Sequence, residues 1–184
     1  MIDFTLTQEQ QELRKGARIF ASCFLSFAEG IYSKHLSQRE RFRSILPLYQ
    51  LAVQNGLIKS QVPVALGGTN ESFLNAAIAV EEMFATNPSA TLTILGTALG
   101  LMPLIMSGDE KKQKKYLQPF LSGQGEPLAS LMHSEPGGTA NWLEKGGKGL
   151  QTVARKEGRE WIVSGEKVSI LRLCLRVRPL TYRS

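Results

Sequence analysis

Apolar residues recur at helical spacing through the first two-thirds of the chain and alternate with polar ones after it. Over residues 7–28, Leu13, Ala17, Phe20, Ala21 and Phe24 fall on one helical face, behind a Thr7–Gln10 pair that fits a capping box. Residues 40–54 repeat the pattern with Ile45, Leu48, Leu51 and Ala52, and Asn55-Gly56 supplies a left-handed stop. Pro63 and Gly67-Gly68 mark a loop that turns sharply. Ser72 is placed to cap a helix over 73–86 with Phe73, Ala77, Val80 and Phe84 inward. An uncharged helix follows over 89–106. "SGDEKKQKKYLQPFLSG" predicts a last helix, capped by Ser107 or Asp109, with Tyr116, Leu117 and Phe120 facing inward.

The period changes near residue 126. "PLASLMHS" is short and strand-like, and "LQTVARKEGREWIVSGEKV" alternates on both sides of Glu157-Gly158, which predicts a hairpin with Trp161 and Val163 on one face. The expected fold is mainly α with a small β part: an N-terminal helical bundle over 1–125, then an incomplete antiparallel β-domain over 126–168, then a divergent basic tail over 169–184. Two or three strands cannot bury their faces alone, hence "incomplete".

Charge sharpens this division. The net charge is +6, but Arg172, Arg176, Arg178 and Arg183 supply four of those charges; residues 1–168 carry 18 basic and 16 acidic residues. A dispersed excess of that size leaves no footprint for nucleic acid. The tail departs so sharply from what precedes it that a shifted reading frame or an unspliced join is the expectation; as an alternative, "ILRLCLRVRPL" can form an amphipathic edge strand. Lys111, Lys112, Lys114 and Lys115 can contact a phosphate, but a solvated helix face is the expected role. No charge occurs from Met83 to Gly108, yet Asn87-Pro88 and Pro103 interrupt the run, so a buried core helix is expected and not a membrane span. Cys23 and Cys174 make no disulfide framework, which gives a reducing compartment as default. The N-terminus has early acids and no apolar signal region. The cytoplasm is the default location, with mitochondrion and peroxisome open.

The stretch most able to carry chemistry is "LMHSEPGGTANW". A strand-like segment ends at Met132, and Pro136-Gly137-Gly138 turns the backbone tightly, so that its N–H groups can meet a flat or anionic ligand. Ser134, Thr139 and Asn141 add short polar side chains, and His133 can donate or accept. Taken alone, the pattern also describes an ordinary turn.

Four ordered segments then carry a resemblance. "DFTLTQEQQELRKGARIFA", "VPVALGGTNESFLNAAIAVEEM" (with Leu66 at a usual tyrosine), "SGDEKKQKKYLQPFLSG" and "HSEPGGTANW" followed by "WIVSGEKV" resemble the acyl-CoA dehydrogenase family over residues 3–168. The resemblance implies a helical domain, a middle β-domain and a C-terminal four-helix domain, with FAD between the β-domain and the helices. It implies oxidation of an acyl-CoA thioester at its α and β carbons. A carboxylate takes the α-proton while the flavin accepts the hydride.

Carried over by residue, Ser134 takes the place of a flavin-contacting threonine and keeps its hydroxyl. Glu135, Pro136 and Gly137 match the family's run. Gly138 stands at an alanine, and Thr139, Ala140 and Asn141 replace Gly-Ser-Asp. The resemblance thus implies a cofactor site at His133, Ser134, Gly138, Thr139 and Ala140, and a substrate site at Ala140 and Asn141; no metal site is expected. Ala140 loses a hydroxyl, which keeps related flavin-dependent oxidases on this scaffold open. After Val168 the family places an aromatic residue and a hydroxyl over the flavin; Ser169, Ile170 and Leu171 stand there instead. The family's proton-abstracting Glu lies in its C-terminal domain, so no catalytic residue is expected here. Glu81 and Glu82 read as solvated or ion-paired. The expectation is a truncated, inactive member that forms homo-oligomers or associates with a longer relative; the alternative is a non-catalytic interaction module.

Overall fold

The computed structural model describes residues 5–136 and 143–168, together with the backbone of 182–183. The chain divides into two compact units, Met1–Ala129 and Ser130–Ser184.

In the first unit, α1 (Gln8–Phe20) opens on the expected capping box: Thr7 Oγ1 accepts from the Gln10 N–H at 3.2 Å and Gln10 Oε1 accepts from the Thr7 N–H at 3.1 Å. The helix does not run unbroken to 28. A π-helical turn (Ala21–Leu25) leads to α2 (Ala28–Tyr32). Ala21, Leu25 and Ala28 remain fully buried across it, and Phe24 packs on Phe20 with ring centroids 5.1 Å apart. Leu13 is an exception to the expected face, being 37% exposed.

The second predicted helix is two. α3 (Gln38–Ser44) has its own capping box between Ser37 and Glu40, and α4 (Leu46–Gln54) starts after a break at Ile45. Pro47 is the cause: it has no N–H to bond back into α3, and a proline is tolerated only in the first turn of a helix. Asn55 and Gly56 (φ 77°) end α4 as expected.

Ser72 caps α5 (Phe73–Thr86), accepting from the Asn75 N–H at 3.1 Å. The inward face differs from the expected one. Ile78 and Met83 are buried, whereas Ala77 is exposed and Phe73 is 84% exposed. The helix is apolar nearly all round, so period alone does not choose its buried side. Arg18 of α1 grips Glu82 of α5 through two hydrogen bonds of 2.8 Å, which makes Glu82 an ion-paired residue.

α6 (Pro88–Met106) begins where Asn87 Oδ1 accepts from the Ala90 N–H at 2.9 Å. It is long and apolar enough to cross a bilayer, alone among the described residues in this. Ala90, Thr91, Ile94, Gly96, Thr97 and Leu101 lie in the core. The helix is not buried all round, however: Leu92, Leu99 and Met106 are exposed. Pro103 is accommodated near its end, where the buried Gln113 amide donates to the Leu104 and Ile105 carbonyls at 3.2 and 2.9 Å. α7 (Glu110–Leu121) is capped by Asp109, not Ser107, through the Lys112 N–H at 3.0 Å. Its buried face is Gln113 and Leu117, with Tyr116 and Phe120 half-buried, and its four lysines are all exposed.

Tyr49 is buried among these helices with its hydroxyl 2.7 Å from Thr97 Oγ1 and 2.6 Å from the Pro127 carbonyl, to which it donates. The loop at 62–70 turns as predicted: Gly67 has φ 89°, and a Cβ on Gly68 would lie 2.7 Å from Val62 Cβ and run into the Val62 backbone.

In the second unit, β1 (Val153–Glu157) pairs antiparallel with β2 (Glu160–Ser164), Val153 facing Ser164 and Glu157 facing Glu160. The two-residue turn is Gly158-Arg159, one position later than the sequence signal. Both faces of the hairpin are exposed, Trp161 and Val163 included. The backbone of Tyr182–Arg183 adds a short third strand, β3, beside β2. The strand expected at 126–132 does not form: that segment pairs with no other in a ladder among the described residues.

Candidate functional site

His133, Ser134 and Glu135 lie on an extended stretch of the second unit, the first two half-buried and Glu135 buried. The Glu135 carboxylate organises the surroundings. It accepts the Gln151 N–H at 2.6 Å, the Thr152 N–H at 3.0 Å and the Lys167 ammonium at 2.9 Å. Lys167 also donates to the His133 carbonyl at 3.1 Å, and the Val168 N–H donates to the Ser134 carbonyl at 2.9 Å. Thus the stretches before and after the hairpin converge on 133–135.

Thr152 Oγ1 is buried with no hydrogen-bond partner among the described residues. The Thr152 side chain first, then the Gln151 N–H and Lys167, hold the Glu135 carboxyl down at about 2, against the opposing effect of burial. Glu135 is therefore ionised and committed. It cannot act as a general base near neutrality, because its charge is already spoken for by three donors. Gly165 permits the close approach: a Cβ there would stand 2.7 Å from Thr152 Cα.

Of the residues expected at a cofactor, the structure brings His133 and Ser134 together. Ser134 has its carbonyl occupied, and no hydrogen bond to its hydroxyl is found among the described residues. Gly138, Thr139, Ala140 and Asn141 lie outside the described residues, as do Ser169, Ile170 and Leu171. The reading from sequence matched Glu135 to a motif but assigned it no role, and it passed over Lys167. The signal available was the one buried-acid position in the motif paired with the last lysine of "SGEKV".

The first unit holds a separate feature. A cavity of about 580 Å³ opens beside α1, α5, α6 and the loop at 57–71. Leu13, Ala76, Ala79, Val80, Met83, Leu95 and Met102 line it, together with Ser60, Asn70, Asn75, Glu9 and Glu71. Gln61 also lines it; its amide donates to the Leu57 and Ile94 carbonyls at 2.9 and 3.2 Å, while its buried Oε1 has no partner among the described residues. Size and lining suit a mainly apolar ligand. This explains Leu13: it faces a cavity and not the core.

Comparison with known proteins places this geometry. The profile of the acyl-CoA dehydrogenase N-terminal domain matches residues 7–124. A nitroalkane oxidase from Fusarium oxysporum is 55% identical over 168 residues, which cover 91% of this chain and 38% of that protein. A cyclohex-1-ene-1-carbonyl-CoA dehydrogenase from Geobacter metallireducens is 28% identical over 130 residues, or 70% of this chain and 33% of the dehydrogenase. A solved structure of the flavoprotein nitroalkane oxidase superposes with a TM-score of 0.87 at 54% identity, over 92% of this chain and 39% of that one. The chain thus spans a little over a third of the length of these relatives. With the profile matching most of its helical unit, the chain belongs to the acyl-CoA dehydrogenase family, through that family's N-terminal domain.

Proposed function

We propose that this chain is the N-terminal portion of a flavin-dependent oxidase acting on nitroalkanes, and that it supplies one wall of the flavin site. The observation that carries the reading is the contrast in identity: 55% to a nitroalkane oxidase across 91% of the chain, against 28% to an acyl-CoA-type dehydrogenase. Ala140, at a family serine, agrees with a substrate other than the usual thioester. FAD would supply the two-electron acceptor. The chain's own part is to orient it through His133 and Ser134.

A nitro group makes the neighbouring C–H acidic, so the reaction needs a proton acceptor in reach. The two carboxylates that the structure holds most firmly, Glu82 and Glu135, are locked in ion pairs. Alone, the chain binds flavin weakly and turns nothing over. The direct test is a chimera joining residues 1–168 to the remainder of the Fusarium relative. It should oxidise a primary nitroalkane, with hydrogen peroxide formed from oxygen, and leave a fatty acyl-CoA untouched. Acyl-CoA oxidation without nitroalkane oxidation would overturn the substrate assignment.

A second reading, a non-catalytic module that pairs with a longer relative, is favoured by the apolar side chains left open on α5 and α6, Phe73 and Met106 above all. Co-purification with a full-length relative, without flavin of its own, would support it.

A further inference from the structure

Glu135 is 4% exposed and ionic, and the reaction has no use for it as a base. A buried ion pair contributes little net stability, because desolvation offsets the attraction; its better attested effect is to fix one geometry. The surroundings say which geometry. The hairpin is exposed on both faces, so among the described residues no apolar core sets where the 133–135 stretch lies against it. Polar contacts do so instead. One carboxylate takes the Gln151 and Thr152 N–H groups from the entry to β1, and the Lys167 ammonium from beyond β2. The same lysine holds the His133 carbonyl, and its neighbour Val168 holds that of Ser134. Each contact ends on His133, Ser134 or Glu135, the first two being candidate flavin contacts, and the Ser134 hydroxyl has no hydrogen bond among the described residues.

We propose that Glu135 and Lys167 form a positioning clamp that sets the backbone of His133 and Ser134 for contact with the flavin. The proposal rests on the flavin reading above. Glu135→Gln keeps the shape but brings an NH2 group up to existing donors. Lys167→Met removes the link to His133 and leaves the two N–H contacts in place. Lys167→Arg keeps the charge and the donors.

The test uses the full 184-residue chain, titrated into a fixed amount of FAD and followed by flavin fluorescence anisotropy. Hydrogen exchange is measured in parallel at the Val168 amide and, as a control for folding, at Ile94 in the helical unit. Glu135→Gln should speed exchange at Val168 and weaken flavin binding, each by about tenfold, the scale of one lost charge-assisted hydrogen bond. Ile94 should be unchanged. Lys167→Met should weaken both by less, and Lys167→Arg should restore them. Unchanged flavin affinity in Glu135→Gln, with the parent binding, would reduce the clamp to a structural contact and overturn the proposal. If the parent takes up no flavin, the functional reading falls and the positioning proposal that rests on it falls too; faster Val168 exchange in Glu135→Gln then marks a structural contact only.

Discussion

Glu135 shows how much a single side chain decides here. Its carboxyl sits at about 2 in the folded chain against an ordinary 4.5. A depressed carboxylate contributes stability that is fully present above its ordinary value and is lost as pH falls towards the folded one. Acidification from 4.5 towards 2 should therefore loosen the second unit. Amide exchange at Thr152, followed against pH, should accelerate in that window, and Glu135→Gln should flatten the dependence. Gly68 is decisive for a steric reason. Its Cβ would meet Val62, so Gly68→Ala should cost about 1–3 kcal/mol, the usual range for forced overpacking, read from chemical denaturation. Gly56, with open space around it, tolerates substitution better on steric grounds and is strained only by its φ of 77°.

Among the elements, α6 holds the helical unit together. Its N-terminus is capped by Asn87, its middle is tied to α4 by Tyr49 and Thr97, and its last turn is finished by Gln113. Tyr49 is 1% exposed and its hydroxyl meets both Thr97 and the Pro127 carbonyl. Tyr49→Phe should then cost about 1–3 kcal/mol, because the Pro127 carbonyl is left without that donor. A urea titration followed by circular dichroism would measure it, and a neutral result would mean that water replaces the hydroxyl. The interrupted first and second predicted helices teach a related lesson. The apolar stripe from Ile45 to Ala52 predicts one continuous helix, and that reading passes over Pro47. The break at Ile45 resolves the conflict, because a chain can keep its buried stripe while changing helices.

Among the described residues, α5 and α6 of the helical unit expose Phe73, Leu74, Leu92, Leu99 and Met106, and the hairpin of the other unit exposes Trp161 and Val163; Ile19, Phe27, Leu36 and Val64 are exposed elsewhere in the helical unit. Surfaces of this kind are seldom left open to water. The chain should associate as concentration rises, seen by sedimentation velocity, and Phe73→Lys with Met106→Lys should shift it towards the monomer. Unchanged association in that double variant would show that the sticky surface lies elsewhere than on Phe73 and Met106. The relatives, of which this chain spans a little over a third, have further chain that could occupy such faces, which is why the chimera is the informative construction for activity.

Local patterns sufficed for the division into helical and strand-forming parts, the caps at Thr7 and Ser72, the loop at Gly67-Gly68 and the hairpin to within one residue, because capping, turning and alternation are governed by a few neighbouring residues; they left Ser107 and Asp109 both open at α7 and predicted a strand near 126–132 that does not form. The family followed from four ordered segments for the same reason. Which side of α5 is buried, which contact fixes Glu135, and why Leu13 is left uncovered could not be read that way. Each depends on residues far apart in the chain: Arg18 reaches Glu82, Lys167 reaches Glu135, and the cavity beside Leu13 exists only once α1, α5 and α6 have packed. An apolar helix has several acceptable faces and a buried acid several possible donors, and only the assembled fold selects among them.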